Sequence, residues 1–228
     1  DLEDEAITAA IETELKYDDG VQEHFIDVET HEGVVTLSGT VYTILAKDRS
    51  ERIAGTIKGV LSVVNDIDVE PLERTDYQLK RDIENALLRD PAAESYEIEV
   101  EVSDGSVTLN GRVESWAEKE LAENVVKGVK GVKELDNEIT IEYATERADY
   151  EITNEIKRKL DENVWIDDGL ITVETDDGEV ILKGTVGSVA EKSRAFSAAW
   201  VSGVESVNDD NLEVEWYARD EMRRESKY

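Results

Sequence analysis

The chain has 228 residues, 39% hydrophobic and 36% charged, a balance that folds into globular units and leaves no apolar run near the ~20 residues needed to cross a bilayer. Its 56 acidic against 25 basic residues give a formal net charge of −31, which repels phosphate backbones and excludes nucleic acid as an expected partner. Cysteine is absent, so disulfides, thiolate metal sites and cysteine nucleophiles are excluded and the redox compartment stays open.

The first element in the chain is a helix, marked by Ile7, Ile11 and Leu15 at i, i+4, i+8. A strand follows, then the glycine-punctuated phrase HEGVVTLSGTV (31–41), whose second half reads as a strand with Val35, Leu37, Gly39 and Val41 on one face. A second helix leads to KGVLSVVND (58–66) and a short closing strand, DIDVE. After the link EPLERT (70–75) the order begins again: a capping box at Thr75-Asp76-Tyr77-Gln78, the stripe Leu79, Ile83, Leu87, and the strand EIEVEV (97–102). The phrase returns as SDGSVTLNGRV (103–113), followed by AEKELAENVVKGV (117–129), with Ala122, Val125, Val126 and Val129 on its buried side, then GVKELDNE (131–138) and EITIE. Beyond EYATERA (142–148) it returns a third time, through Ile152, Ile156 and Leu160, DDGEVILKGTV (176–186), SGVESVNDD (202–210) and NLEVE.

Gly33, Gly105 and Gly178 lie 72 and 73 residues apart, and Gly39, Gly111 and Gly184 repeat both intervals. Gly59, Gly131 and Gly203 mark the third recurring phrase. Ordered markers at a fixed period identify an internal repeat. The predicted fold is α+β: three tandem αββαβ modules, each a three-stranded mixed sheet with two helices packed on one face. The second strand is central, antiparallel to the first and parallel to the third, because a strand–helix–strand crossover is right-handed and parallel. The expected boundaries are 1–70, 74–143 and 147–216, with a basic tail at 217–228. Six stretched residues reach about 20 Å, so adjacent modules must nearly touch. All nine glycines are read as structural. The first of each set serves a hairpin, and the one inside the strand is attributed to close approach of a packed helix.

Residues equipped for chemistry are few. His24 and His31 fall near opposite ends of one strand, about 23 Å apart, too far to share a metal. Asp18-Asp19-Gly20, Asp167-Asp168-Gly169, Asp176-Asp177-Gly178 and Asn208-Asp209-Asp210-Asn211 invite a calcium reading, but none has the ligand spacing of an EF-hand, and turn chemistry accounts for them. Weak K⁺ or Ca²⁺ occupancy stays open. No GxSxG stretch or Walker loop occurs. Gly128-Val-Lys-Gly131 imitates the RNA clamp of KH domains, without counterparts in the other copies and against the net charge. Trp116 and Trp200 are assigned to the second helices of copies two and three, packing in cores or between modules. For Trp165 packing is favoured over a membrane-interface anchor. Arg219, Arg223 and Arg224 in the tail offer a basic contact to anionic lipid or to the acidic body of a neighbouring copy, against a frayed terminus.

The combination DGxVTLxGxV, a helix, then GVxxVxN resembles the BON domain, named for bacterial osmotically inducible and nodulation proteins. The resemblance extends over nearly the whole chain as three tandem copies, stopping near Trp216. The third departs slightly, with one residue fewer before Gly203 and an extra residue in NDDN (208–211). The resemblance implies an αββαβ fold, no enzyme activity and no cofactor. It implies a bacterial envelope setting, often periplasmic, as in OsmY-like members. The expected function is therefore non-enzymatic: a binding or scaffolding module in osmotic or envelope stress, for phospholipid surfaces or envelope protein partners. A potassium or other cation-responsive protein and a periplasmic chaperone-like protein are the alternatives the family implies. The chain opens on Asp1, which reads as a cleaved or trimmed start, and the absence of a visible signal peptide leaves a cytoplasmic setting open. Self-repulsion at −31 predicts stabilisation by added salt, as in halophilic adaptation, unless the surface is merely well solvated. Ligand identity and oligomeric state are not encoded in any motif found.

Overall fold

The structure, a computed structural model, describes residues 2–21, 25–70, 72–89 and 98–215. The first module runs α1 (Leu2–Tyr17), β1 (Ile26–His31), β2 (Val34–Val41), α2 (Ile44–Gly55) and β3 (Ser62–Val69). The second runs α3 (Asp76–Arg89), β4 (Ile98–Ser103), β5 (Ser106–Val113), α4 (Trp116–Lys127) and β6 (Glu134–Ile141). The third runs α5 (Asp149–Glu162), a 3-10 turn (Asp168–Leu170), β7 (Ile171–Asp176), β8 (Glu179–Val186), α6 (Val189–Ala199) and β9 (Ser206–Val214). Thr75 and Gln78 exchange the side-chain-to-backbone bonds of the predicted capping box, and Ser115 and Glu118 do so at α4.

Three separate sheets form, ordered β1-β2-β3, β4-β5-β6 and β7-β8-β9. In each, the middle strand is antiparallel to the first and parallel to the third. This is the α+β arrangement that the sequence predicts. One sheet face is covered. In the first module Ile7, Ile11 and Leu15 of α1 and Ala46 and Ala54 of α2 close over Val35, Leu37, Val41 and Ile67, and equivalent residues build two further cores. The third sheet carries an irregularity. Ile181 pairs with Asn208 but Lys183 pairs with Asn211, so the extra residue of NDDN is absorbed as a bulge.

The strand glycines have a different cause from the one expected. Gly39 and Gly184 hold φ +126 and +123, and a Cβ there would overlap the backbone oxygens of Phe25 and Leu170, the residues that lead into the facing first strand. What approaches these glycines is the neighbouring backbone in the sheet, not a helix.

The modules also close on one another through their second helices. Ile44, the first residue of α2, packs against the second core, while Lys127 of α4 reaches Asp48 at 2.8 Å. Trp116, the first residue of α4, stacks on Trp200 of the third module at 5.5 Å and 6°, with Phe196 edge-on at 6.2 Å. Val189, the first residue of α6, packs against the first core beside Gly55. The same helix start thus meets the far end of the next module's second helix, from one to two, two to three and three to one. Such a head-to-tail contact, repeated until it returns, closes a ring with a pseudo-threefold axis.

Candidate functional site

Every hairpin turn is held by a carboxylate from the first helix of its own module. Glu32-Gly33, Asp104-Gly105 and Asp177-Gly178 all have positive φ at both residues, the type I′ geometry that suits a two-residue hairpin. Their successive N–H groups point into one concavity, a natural anion seat. Asp4 accepts from the first pair at 3.1 and 3.0 Å, Asp76 from the second at 3.0 and 3.1 Å, and Asp149 from the third at 3.0 and 3.0 Å. The N–H of Gly33 holds the Asp4 carboxyl below the usual carboxylate range. The repeating aspartates escaped the sequence reading, although their 72 and 73 spacing was a signal. With these amides engaged, the turns have no free seat for an external anion.

A hollow lies beside each clamp, between the hairpin turn and the glycine that precedes the last strand. The first is about 180 Å³ and includes Glu3, Asp4, Ile7, Glu32, Gly59 and Leu61. The second, about 410 Å³, is walled by Leu72 and Arg74 of the first linker together with Gly105, Gly131 and Lys133. The third, about 670 Å³, is walled by Tyr143 and Arg147 of the second linker with Asp177, Gly178 and Gly203. Tyr143 Oη donates to the Val204 carbonyl at 2.6 Å, and burial, with Glu205 nearby, pushes its phenol above the usual range. Arg147 Nη1 binds Glu155 at 2.6 Å and the Ser202 carbonyl at 3.1 Å. A neighbouring groove of about 440 Å³ runs past Trp116, Trp200, Ile139 and Val204. The arginine that reaches into the third hollow is bonded within the protein, and no nucleophile–base pair appears among these lining residues.

The acidic clusters are likewise in structural use. Asp18 binds Arg49 through both oxygens, at 2.6 and 2.8 Å, and caps the Gly20 N–H, and the Arg49 bond holds its carboxyl low. Asp167 N–H donates to Glu191 at 2.6 Å, Asp177 belongs to a clamped turn, and Asp210 N–H donates to Asn208 within the bulge. Burial pushes Glu123 upward, but hydrogen bonds from Lys127 and Asn137 prevail and leave it lowered. Burial opposes charge on Lys127 too, and its bonds to Asp48 and Glu123 outweigh it and raise its pKa. Glu120 beside them is raised, by burial and by Glu123. This group is a strut between modules one and two. Among the described residues, no three His, Asp or Glu side chains are grouped to hold a metal ion. His31 is exposed at the end of β1, and His24 lies outside the described residues. Gly128 caps α4 and Gly131 has φ +115, so the GXXG stretch makes a helix end and a turn.

The outward-facing apolar groups occupy equivalent places. Tyr17 and Phe25 are 74% and 94% exposed on either side of the α1–β1 connection, and Leu88 is 65% exposed near the end of α3. Val164 and Trp165 are 85% and 67% exposed after α5. The packing favoured for Trp165 is therefore corrected: its segment turns outward after Asn163, whose side chain accepts the Trp165 N–H at 3.1 Å, and only Arg194 covers the ring, at 5.8 Å. Trp116 and Trp200, by contrast, do pack between modules as expected. Arg219, Arg223 and Arg224 lie outside the described residues.

A family profile for the BON domain matches residues 3–71, 75–143 and 148–215. The chain is 32% identical over 145 residues to the Osmotically-inducible protein Y of Escherichia coli, an overlap covering 60% of this chain and 72% of that protein. It is 31% identical over 137 residues to the outer membrane lipoprotein DolP of Haemophilus influenzae, covering 58% and 71%. It is also 34% identical over 146 residues to a 21 kDa hemolysin of Actinobacillus pleuropneumoniae, covering 62% and 72%.

Proposed function

The chain belongs to the BON domain family, and on that premise we propose that it is a non-enzymatic envelope protein of the osmotic-stress response that docks on phospholipid surfaces. The setting is carried over from the relatives, one osmotically inducible and one an outer membrane lipoprotein. The observation that carries the docking is the placement of Tyr17 and Phe25, Leu88, and Val164 and Trp165 at the same connection of three modules. A cyclic arrangement sets equivalent positions at one height along its axis, so these side chains approach a flat surface together. An exposed indole with an aliphatic neighbour suits the headgroup boundary, and Arg194 beside it faces phosphate. Arg223 and Arg224 of the tail add cationic contacts.

The body charge of −31 opposes approach to an anionic bilayer unless ions screen it. Flotation with phosphatidylglycerol-containing vesicles across a KCl series is the test. Binding that strengthens with salt and falls in a Phe25→Ser, Val164→Ser, Trp165→Ser variant is expected. An absence of binding at every salt concentration removes the lipid reading and leaves an envelope protein as the partner.

A further inference from the structure

Two of the three hollows are finished by the linker that arrives from the preceding module, and the first is not. The linkers leave their sheets in one way: Glu70 N–H donates to Val41, Glu142 N–H to Val113 and Glu215 N–H to Val186, each at 2.8 Å. An arginine follows in each, Arg74 and Arg147 in the two linkers and Arg219 in the tail. The stem of Arg74 lies against Gly131, where a Cβ would come within 2.8 Å of Cγ, and that of Arg147 against Gly203, 3.3 Å from Cβ. At the equivalent Gly59, Ile7 is the neighbour among the described residues. Glu142 is followed by Tyr143, which bonds Val204, and Glu215 is followed by Trp216. The rim that would receive this segment carries Glu3, Asp4 and Glu32.

We propose that residues 216–219 of this chain seat in the hollow of the first module and make the third joint of the ring. Trp216 takes the place over Val60 that Tyr143 takes over Val204, and Arg219 crosses Gly59 as Arg147 crosses Gly203. The second helices already bring modules three and one together through Val189 and Gly55, so the tail leaves its sheet at the junction it has to cover. The acidic rim complements the arginine in charge. This assignment does not depend on lipid binding.

The absence of cysteine makes a unique label simple. A nitroxide on Lys58→Cys in the full chain, observed by nuclear magnetic resonance, is expected to broaden the amides of 216–220. The same label on Lys130→Cys, the equivalent site of module two, leaves them sharp. Trp216→Ala with Arg219→Glu is expected to abolish the broadening, and Arg219→Lys to keep it. Sharp tail signals beside the Lys58→Cys label overturn the proposal, as does broadening that persists in the double variant. In a mixture where the nitroxide and the nitrogen-15 are on different molecules, broadening reveals a tail seated in a second copy and overturns the intrachain joint. Broadening that requires added vesicles assigns the tail to lipid and overturns it as well.

Discussion

Replacing Trp116 by alanine should uncouple the third module from the second while leaving both cores whole. Trp116 is absent from the buried core residues and makes its ring contacts across the junction, stacked on Trp200 at 5.5 Å and edge-on to Phe196 at 6.2 Å. Each aromatic pair contributes about 0.5–1.5 kcal/mol beyond area, and a mostly covered indole withdraws roughly 150 Å² from water. At ~25 cal/mol/Å² that area is worth just under 4 kcal/mol, and since alanine retains part of it the expected loss is about 3–4 kcal/mol. A module of this size holds only ~4–10 kcal/mol of its own stability. The lost coupling is thus comparable to what keeps one module folded. Urea unfolding followed by far-ultraviolet circular dichroism should change from one transition to two, and the near-ultraviolet signal of the indole pair should fall. Trp116→Phe should keep most of the coupling. A single transition with a shift below about 0.5 kcal/mol in Trp116→Ala would refute the reasoning, because the ring would then carry no energy.

Gly184→Ala forces a side chain into φ +123 and onto the Leu170 oxygen, and should cost about 2–4 kcal/mol by urea midpoint, whereas Gly169→Ala, whose nearest neighbour is 3.6 Å away, should stay within about 0.5 kcal/mol. Asp149→Ala should speed amide exchange at Asp177 and Gly178 several-fold without moving the global midpoint by a comparable factor. Asp18 and Glu123 are lowered in the folded state, so their stabilisation is complete above about pH 4 and disappears as pH falls through the folded values. Lys127 is raised, so its share is complete below about pH 10 and disappears as pH rises through the folded value. Lys127→Met should flatten both limbs of a stability profile at the first junction. Added KCl should raise the urea midpoint, since 56 acidic against 25 basic residues repel within each module, and a flat or falling series would contradict this.

The fold was readable where the physics is local and periodic. Ile7, Ile11 and Leu15 announce a helix face, the alternation Val35, Leu37, Val41 announces a half-buried strand, and a crossover helix dictates the parallel pair. The extra residue in NDDN was visible as a break in period and became a bulge. What stayed hidden depends on partners remote in sequence. Asp4 lies 29 residues from the Gly33 amide it accepts, and nothing separates it from 55 other acids except its register in the repeat. The cause of the strand glycines was misassigned because period-two reasoning sees one strand and not the backbone paired with it. Trp165 shows the opposite limit: its composition suggests burial, and the turn outward at Asn163 decides against it. The contact between modules one and three joins Gly55 to Val189, and no linker-length argument reaches it.

The positions that differ among the copies explain why one chain carries three. Core positions hardly vary: Val35, Val107 and Val180, or Leu37, Leu109 and Leu182, are the same residue at the same depth. Junction positions vary at every copy. Ile44, Trp116 and Val189 open the second helices, and Gly55, Lys127 and Trp200 stand at the ends they meet. Three equal head-to-tail surfaces would allow modules to dock in any order, including onto other chains, and such contacts grow into open polymers when they fail to close. Unequal surfaces remove that freedom. A small valine fits beside Gly55, two flat indoles fit each other, and Lys127 needs the carboxylate of Asp48. A lysine placed against an indole pair, or an indole against Gly55, would bury a charge or collide with backbone. The ring order is thereby written in the side chains, and the outward connections are freed to diverge, as Phe25, Leu88 and Trp165 have done, without endangering the assembly that presents them.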